Sequence, residues 1–298
     1  MPIYDYAENF ERALQQKYAI ELTSFALTQS NQGIQFINAR TIKLPRMAVT
    51  GYKDHVRGSL GFNGGTISND WEPKKLEHDR SIEFVIDPMD VDETNLVLAA
   101  ANIQNTFETE HAIPEKDSYR YSKLFAEAQT YAANGAVVNT DSLNASNILE
   151  WFDEQMEIMD DAGVPQEGRV LYLTPAMNTL LKQAQGLTRS IDVRGQGGID
   201  RRVTGLDNVS IIKVPSARFK TLYDFTEGCI PAAGAKQMNI MLVHPSCVIS
   251  RDKHAYAKLF TPGSDSRTAD NYLYQTRYYT DSFLIENKAP GIAFNVEA

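Results

Sequence analysis

The sequence predicts an α+β protein that sends a long two-stranded excursion out of its body. Three features carry that expectation. Two strand-like arms flank a polar, glycine-rich tip between about residues 34 and 87. Helical stripes then run from Glu93 to Tyr131. Beyond residue 144, helix and strand patterns alternate, and the chain finishes in a stretch dense with strand formers. The 298 residues suffice for one large domain or two ordinary ones, and 43% hydrophobic with 22% charged residues suits a packed core.

Residues 4–18 read as a short amphipathic helix, with Phe10, Leu14 and Tyr18 at helical spacing and Glu8, Glu11 and Arg12 between them. The polar run Thr28-Gln29-Ser30-Asn31-Gln32-Gly33 makes it a helix on a tether. The first arm of the excursion covers residues 34–50, where Arg40-Thr41-Ile42-Lys43-Leu44 alternates and Pro45 marks an edge strand. The second arm is Ser81-Ile82-Glu83-Phe84-Val85-Ile86. Between them, Gly51, Gly58, Gly61, Gly64 and Gly65 alternate with charges such as Lys53, Arg57, Lys74 and Lys75. That connection is too long for a tight turn. A lone two-stranded ribbon is marginal in water, so the excursion needs a neighbour to lie on.

Asp90 or Asp92, with Glu93, suits the start of a helix striped by Leu96, Ala100, Ile103 and Phe107. Pro114 breaks that run and opens a second helix through Tyr121, Leu124, Ala128 and Tyr131, ended by Asn134-Gly135. Ile148, Phe152, Met156 and Met159 stripe a third, stopped at Gly163 and Pro165. Val170–Leu173 is a short buried strand, and Thr174-Pro175 caps the next helix. Residues 185–205 are loop-like. The run from Val209 to Val214 is a strand ended by Pro215, and the run from Met238 to Ile249 another, interrupted by Pro245. Tyr272, Tyr274, Tyr278, Tyr279, Phe283, Ile285, Ile292 and Phe294 fill the C-terminal strands.

The search for chemistry returns little. Gly195-Gln196-Gly197-Gly198-Ile199-Asp200 starts like a dinucleotide fingerprint, but Asp200 holds the third glycine position and no strand leads in. Walker, zincin and nucleophile-elbow motifs are missing, and no catalytic residue, cofactor or metal is expected. In His244-Pro245-Ser246-Cys247, an odd step along a strand would point His244 and Cys247 to opposite faces. Cys247 and Cys229 read as buried free thiols, too few for a disulfide framework. The acidic cluster Asp87, Asp90, Asp92 and Glu93 lacks calcium-loop spacing and reads as helix capping. Asp160-Asp161 sits against the helix dipole, for which the sequence offers no reason beyond exposure to solvent. The loop's Arg189, Arg194, Arg201 and Arg202 outnumber Asp192 and Asp200 by two. Their guanidinium forks suit carboxylates or phosphates, although a solvated surface loop accounts for each singly. A net charge of −9 argues against whole-molecule nucleic-acid binding. The N-terminus has neither basic flank nor apolar run, and no membrane span is visible, so the protein is expected to begin life in the cytoplasm.

The order of elements resembles that of tailed-bacteriophage major capsid proteins, the Hong Kong 97 type of shell fold. The tethered helix resembles the family's N-terminal arm (1–33), and the excursion its extended loop (34–87). The helix opened by Ile113-Pro114-Glu115-Lys116-Asp117 resembles the spine helix of a peripheral domain (88–143 and 251–298). The Arg169–Pro175 and Met238–His244 stretches resemble the axial domain (144–250), and Arg277–Phe283 with Glu286-Asn287-Lys288 and Gly291-Ile292 the returning peripheral strands.

The resemblance implies a shell subunit, not an enzyme. It would form hexamers and pentamers and close into an icosahedral phage head around double-stranded DNA, touching that DNA weakly and without sequence preference. Lys53, Arg57, Trp71, Lys74, Lys75 and Arg80, with Phe10 and Leu14, become the candidate subunit-interface residues, and the four loop arginines would line the capsomer axis. Unlike some relatives, the chain carries no long helical scaffolding segment, which implies a separate scaffolding protein or a processed product. A portal protein is the other implied partner. The lysine–asparagine crosslink of some relatives finds no match for its partner or its promoting acid, so none is expected. The alternatives are an encapsulin-type nanocompartment shell, a tail or head-completion protein, and an α/β hydrolase or transferase with an unrecognised site.

Overall fold

The computed structural model describes residues 21–28, 41–55, 61–89, 100–184, 203, 205–264 and 267–298, without the side chains of 43–46, 69–71, 100 and 101. The expected N-terminal helix with Phe10 and Leu14, the cap at Asp90 or Asp92, Leu96, Arg57 and the arginine loop all fall outside these residues.

Strand β5 (Val170–Leu173) is four apolar residues, all buried. Successive side chains leave a strand on opposite faces, so such a run needs cover on both sides. It lies within a six-stranded sheet ordered β4–β13–β10–β5–β7–β6. The other members are β4 (Val137–Asn139), β6 (Gly205–Leu206), β7 (Val209–Lys213), β10 (Met238–Val243) and β13 (Ile292–Val296). β13 runs parallel to β4 and β5 parallel to β7, while the remaining pairings are antiparallel.

The cover comes from helices. Helices α1 (Ala100–Phe107) and α2 (Ile113–Thr130) precede the sheet, followed by α3 (Ile148–Asp161) and α4 (Pro175–Gln183). Val170, Tyr172, Met241, Val243 and Phe294 share one core with Tyr121, Leu124, Phe125 and Ala128 of α2. Leu171, Leu173, Ile240, Leu242 and Ala293 share a second with Ile148, Trp151, Phe152 and Met159 of α3 and Leu181 of α4. Each fully buried aliphatic or aromatic side chain contributes roughly 1.5–3 kcal/mol. Edge-to-face contacts of Tyr121 with Tyr172 and Phe219, and of Phe125 with Phe294, fix α2 on the sheet.

Beside this body, β3 (His78–Ile86), β11 (Val248–Phe260) and β12 (Tyr272–Leu284) form an antiparallel sheet with β12 in the middle. Strands β1 (Thr41–Val49) and β2 (Ile67–Lys75) form a separate ribbon, in register from Thr41↔Lys75 to Val49↔Ile67. Short strands β8 (Tyr223–Asp224) and β9 (Ile230–Pro231) close a small hairpin.

Three expectations are corrected. The return arm of the excursion is β2, whereas the stretch Ser81–Ile86 belongs to β3 and pairs with β12. The reason lies in partners: β3 has β12 beside it, and Leu76, 2% exposed, turns the chain into the body between the two strands. Pro114 does not break the helix. A π-helical stretch, Glu108–Ala112, joins α1 to α2, and Ala112 and Ile113 stay in the right-handed helical region. A wider turn before a proline accommodates the missing N–H and relieves the ring's clash with the preceding turn. His244 and Cys247 do not share a strand. Pro245–Cys247 is a 3-10 turn, and the ring of His244 accepts from the Ser246 amide. β13, from the segment expected in the peripheral unit, completes the six-stranded sheet.

Candidate assembly surface

The ribbon is anchored at one end and bare at the other. At its base, Ile42 and Leu76 pack with Ile249 and Phe283 in a small core of their own. Toward the tip, pairing continues past the strands through the Thr50 amide on the Thr66 carbonyl at 3.2 Å. The Asn63 side chain then donates to the carbonyls of Lys53 and Asp54 at 3.1 and 2.8 Å. Register puts Met47, Val49 and Ile67 on one face, with Val49 directly opposite Ile67. All three are exposed, Tyr52 and Phe62 almost wholly so. Five large apolar side chains thus stand in water on one slender element.

The opposite face of the ribbon turns inward. Lys74 Nζ lies 3.0 Å from Glu72 and 3.2 Å from Glu127 of α2, and also bonds the Tyr131 hydroxyl. Burial alone would lower its pKa, but Tyr131 and the two carboxylates outweigh burial and hold it above the ordinary lysine range. Lys74 is therefore engaged within its own chain, while Lys53 and Lys75 face solvent. Trp71 pairs with Pro45 in the ribbon. Arg80 is also satisfied internally: its Nε donates to Glu115 at 2.6 Å and its Nη1 to the Phe225 carbonyl at 2.5 Å.

An open groove of about 770 Å³ lies between β3, the π-helical turn, the start of α2 and the segment around 215–229. Ile82, Phe84 and Phe107 supply apolar walls. Its ionisable groups serve each other rather than the space. Burial would raise the pKa of Glu115, but contacts with His78, Arg80 and the Tyr278 hydroxyl keep it below the usual carboxylate value. Arg218 donates to Asp117 at 3.2 Å. Cys229, expected to be buried like Cys247, is only half-buried, because it lines this open groove; the burial it has pushes its thiol up to about 11, against a hydrogen bond with Ser118. Among the described residues no cluster of His, Cys, Asp and Glu could hold a metal, and no helix is long and apolar enough to cross a membrane.

Sequence reasoning missed Asp117. Wholly buried on α2, it accepts from the amides of Thr23 and Ser24 at 3.1 and 3.0 Å and from the Thr23 hydroxyl at 2.8 Å. It thereby caps the 3-10 turn Thr23–Thr28 from another element. Arg120, also buried, bonds Ser24 and Asp252. These contacts fix the turn Thr23–Thr28 against α2. No capping residue within the turn itself announced them.

The architecture is a helix-backed six-stranded sheet beside a three-stranded sheet, with a separate two-stranded ribbon. The chain shares it over most of its length with the mature capsid of bacteriophage PhiM1, at 11% identity, TM-score 0.62 and coverage of 86% of this chain and 82% of that one. It shares it equally with the capsid of cyanophage P-SCSP1u (12% identity, TM-score 0.66, 95% and 89% covered). A chain from Mycobacterium phage Adephagia matches at 12% identity and TM-score 0.58, covering 100% of this chain and 99% of that one. The fold is thus the Hong Kong 97-like class expected from the order of elements. No family model matches the sequence, and no curated protein matches it.

Proposed function

We propose that the chain is the major capsid protein of a tailed phage, a structural subunit of the virion rather than an enzyme. The observation that supports this most is the extent of the likeness: phage capsid structures match 86% and 95% of the chain. The bare apolar ribbon agrees with it, since such a surface is costly unless a neighbour covers it. On this reading, subunits form hexamers and pentamers that close into an icosahedral head assembled in the host cytoplasm. The six-stranded sheet with α3 and α4 forms the axial part, and α2 with the three-stranded sheet the peripheral part. The ribbon overlies an adjacent subunit, with Lys53 and Lys75 among its exposed contacts. The arginine loop, with Arg189, Arg194, Arg201 and Arg202, faces the capsomer axis. A scaffolding protein and a portal are further partners, and the acidic subunit holds packaged double-stranded DNA only by weak, nonspecific contact.

Negative-stain electron microscopy of the protein, expressed alone and with neighbouring scaffold genes, tests the proposal. Closed particles or six-subunit capsomers are expected. A monodisperse monomer under both conditions overturns it, and particles filled with a protein cargo in place of DNA point to a nanocompartment shell.

A further inference from the structure

The linkage between ribbon and body is two residues long. β2 ends at Lys75 and β3 begins at His78, leaving Leu76 and Glu77. A free hinge needs backbone groups that can exchange partners with water. Here both facing groups are held by one strand of the body. The Leu76 carbonyl accepts from the Tyr279 hydroxyl at 2.9 Å, and the Glu77 amide donates to Asp281 Oδ2 at 2.9 Å. Tyr279 and Asp281 are two apart on β12, so their side chains rise from the same face of the sheet. Asp281 is itself pinned: 2% exposed, its Oδ1 accepts from the Tyr119 hydroxyl at 3.0 Å and the Ser282 amide at 2.8 Å. The Leu76 side chain is buried with Ile42, Ile249 and Phe283, which ties the first ribbon strand to the same spot.

A second point of attachment lies two residues further out, at Lys74. Lys74 joins the ribbon to α2 through Glu127 and Tyr131, and Tyr131 also donates to Glu72 at 3.1 Å. One attachment lets a rod swivel; two on different elements fix its direction. We infer that the body aims the ribbon before any neighbour binds, through a two-point clamp: Tyr279 and Asp281 hold the linkage, and Lys74 of the ribbon is held by Glu127 and Tyr131 at the end of α2. The ordering cost of the ribbon's direction is then met during folding and does not fall on association. The clamp is a property of the single chain and stands whether or not the chain builds a shell.

The test is a distance measurement by pulsed electron paramagnetic resonance on the full-length chain, kept dilute enough to be unassociated. Spin labels are placed at Tyr52→Cys on the ribbon tip and Glu157→Cys on the exposed side of α3, in a Cys229→Ser background. One narrow distance distribution is expected for the parent. Lys74→Ala combined with Asp281→Asn should at least double its width. Lys74→Ala with Tyr279→Phe, which removes only a hydroxyl at the linkage, should broaden it too and keeps the question answerable if the buried Asp281 substitution prevents folding. A broad distribution in the parent overturns the inference. So does an unchanged width in a folded clamp variant.

Discussion

Arg169 donates to Asp160 at 2.5 Å, across the loop that joins α3 to β5. The guanidinium is wholly buried, and it also donates to the carbonyls of Val164 and Pro165 at 2.7 and 2.9 Å. One arginine thereby fills the loop's interior and satisfies its backbone. The contact also accounts for an aspartate at a helix C-terminus, where the dipole opposes it: Asp160 faces a fixed cation. Removing the arginine should cost more than removing its acid. Arg169→Ala is expected to lower stability by about 2–3 kcal/mol, from lost charge-assisted bonds and packing. Asp160→Ala should cost less, about 1–2 kcal/mol: the carboxylate itself is 42% exposed, but its loss leaves the buried guanidinium with only neutral partners. Urea titrations of both variants, compared by midpoint at constant slope, decide the order.

Gly135 ends the α2 segment at φ +100°, and a Cβ built there would lie 2.8 Å from Cγ of Pro290. Backbone and neighbour both reject a side chain. Gly135→Ala should destabilise by about 1–3 kcal/mol, read as a fall in the thermal midpoint.

Glu115 carries a pH dependence of definite sign. Its folded-state pKa is below the ordinary value of 4.5, so its ionised form contributes stability at neutral pH. That contribution is complete above the unfolded value and is lost as pH falls through the lower, folded one. Glu115→Gln should be less stable than the parent at pH 7, and the difference should shrink below pH 4.5. A constant gap across that range would exclude Glu115 as the titrating group.

Both thiols should resist alkylation in the folded chain. Burial pushes Cys247 up to about 12 and Cys229 up to about 11. At pH 8, thiolate at either site should be at least about a hundredfold scarcer than on an unperturbed cysteine. Iodoacetamide labelling followed by mass spectrometry should show both reacting only after denaturation. Cys229, half-buried on the open groove, is the sharper case: its fast modification in the native chain would contradict the raised pKa.

The apolar tip should matter for association and not for folding. Tyr52→Ser with Phe62→Ser changes two fully exposed side chains, so stability should move by no more than about 0.5 kcal/mol. Particle yield by electron microscopy should fall sharply. Normal yield from the double variant would remove the tip from the assembly contacts.

Local signals made much of this fold legible. Val170–Leu173 reads as a strand because four consecutive apolar residues need two covered faces, and Thr174-Pro175 reads as a helix start because its hydroxyl caps the turn, as Thr174 does for Met177. What escaped depended on partners distant in sequence. Ser81–Ile86 has the composition of a ribbon strand, and only β12, some two hundred residues later, claims it. Pro114 looks like a break because a proline's cost is visible locally, while the π-helical turn that absorbs it carries no compositional mark. Of the candidate contact residues, Lys53 and Lys75 are exposed as their polarity suggests. Lys74 and Arg80 turn inward, because Glu72, Glu127 and Glu115 lie within reach only after folding.

Strand order also dictates when the fold can be completed. β13 sits between β10 and β4, and β12 sits between β11 and β3. The strands that complete both main sheets thus follow their partners in the chain. A chain emerging from the ribosome at about 5–20 residues per second leaves both sheets gapped until residues 272–296 are free to enter. Such long-range pairing is intrinsically slow. A chain made only as far as Asn271 therefore has neither sheet complete, however much of the rest has already formed.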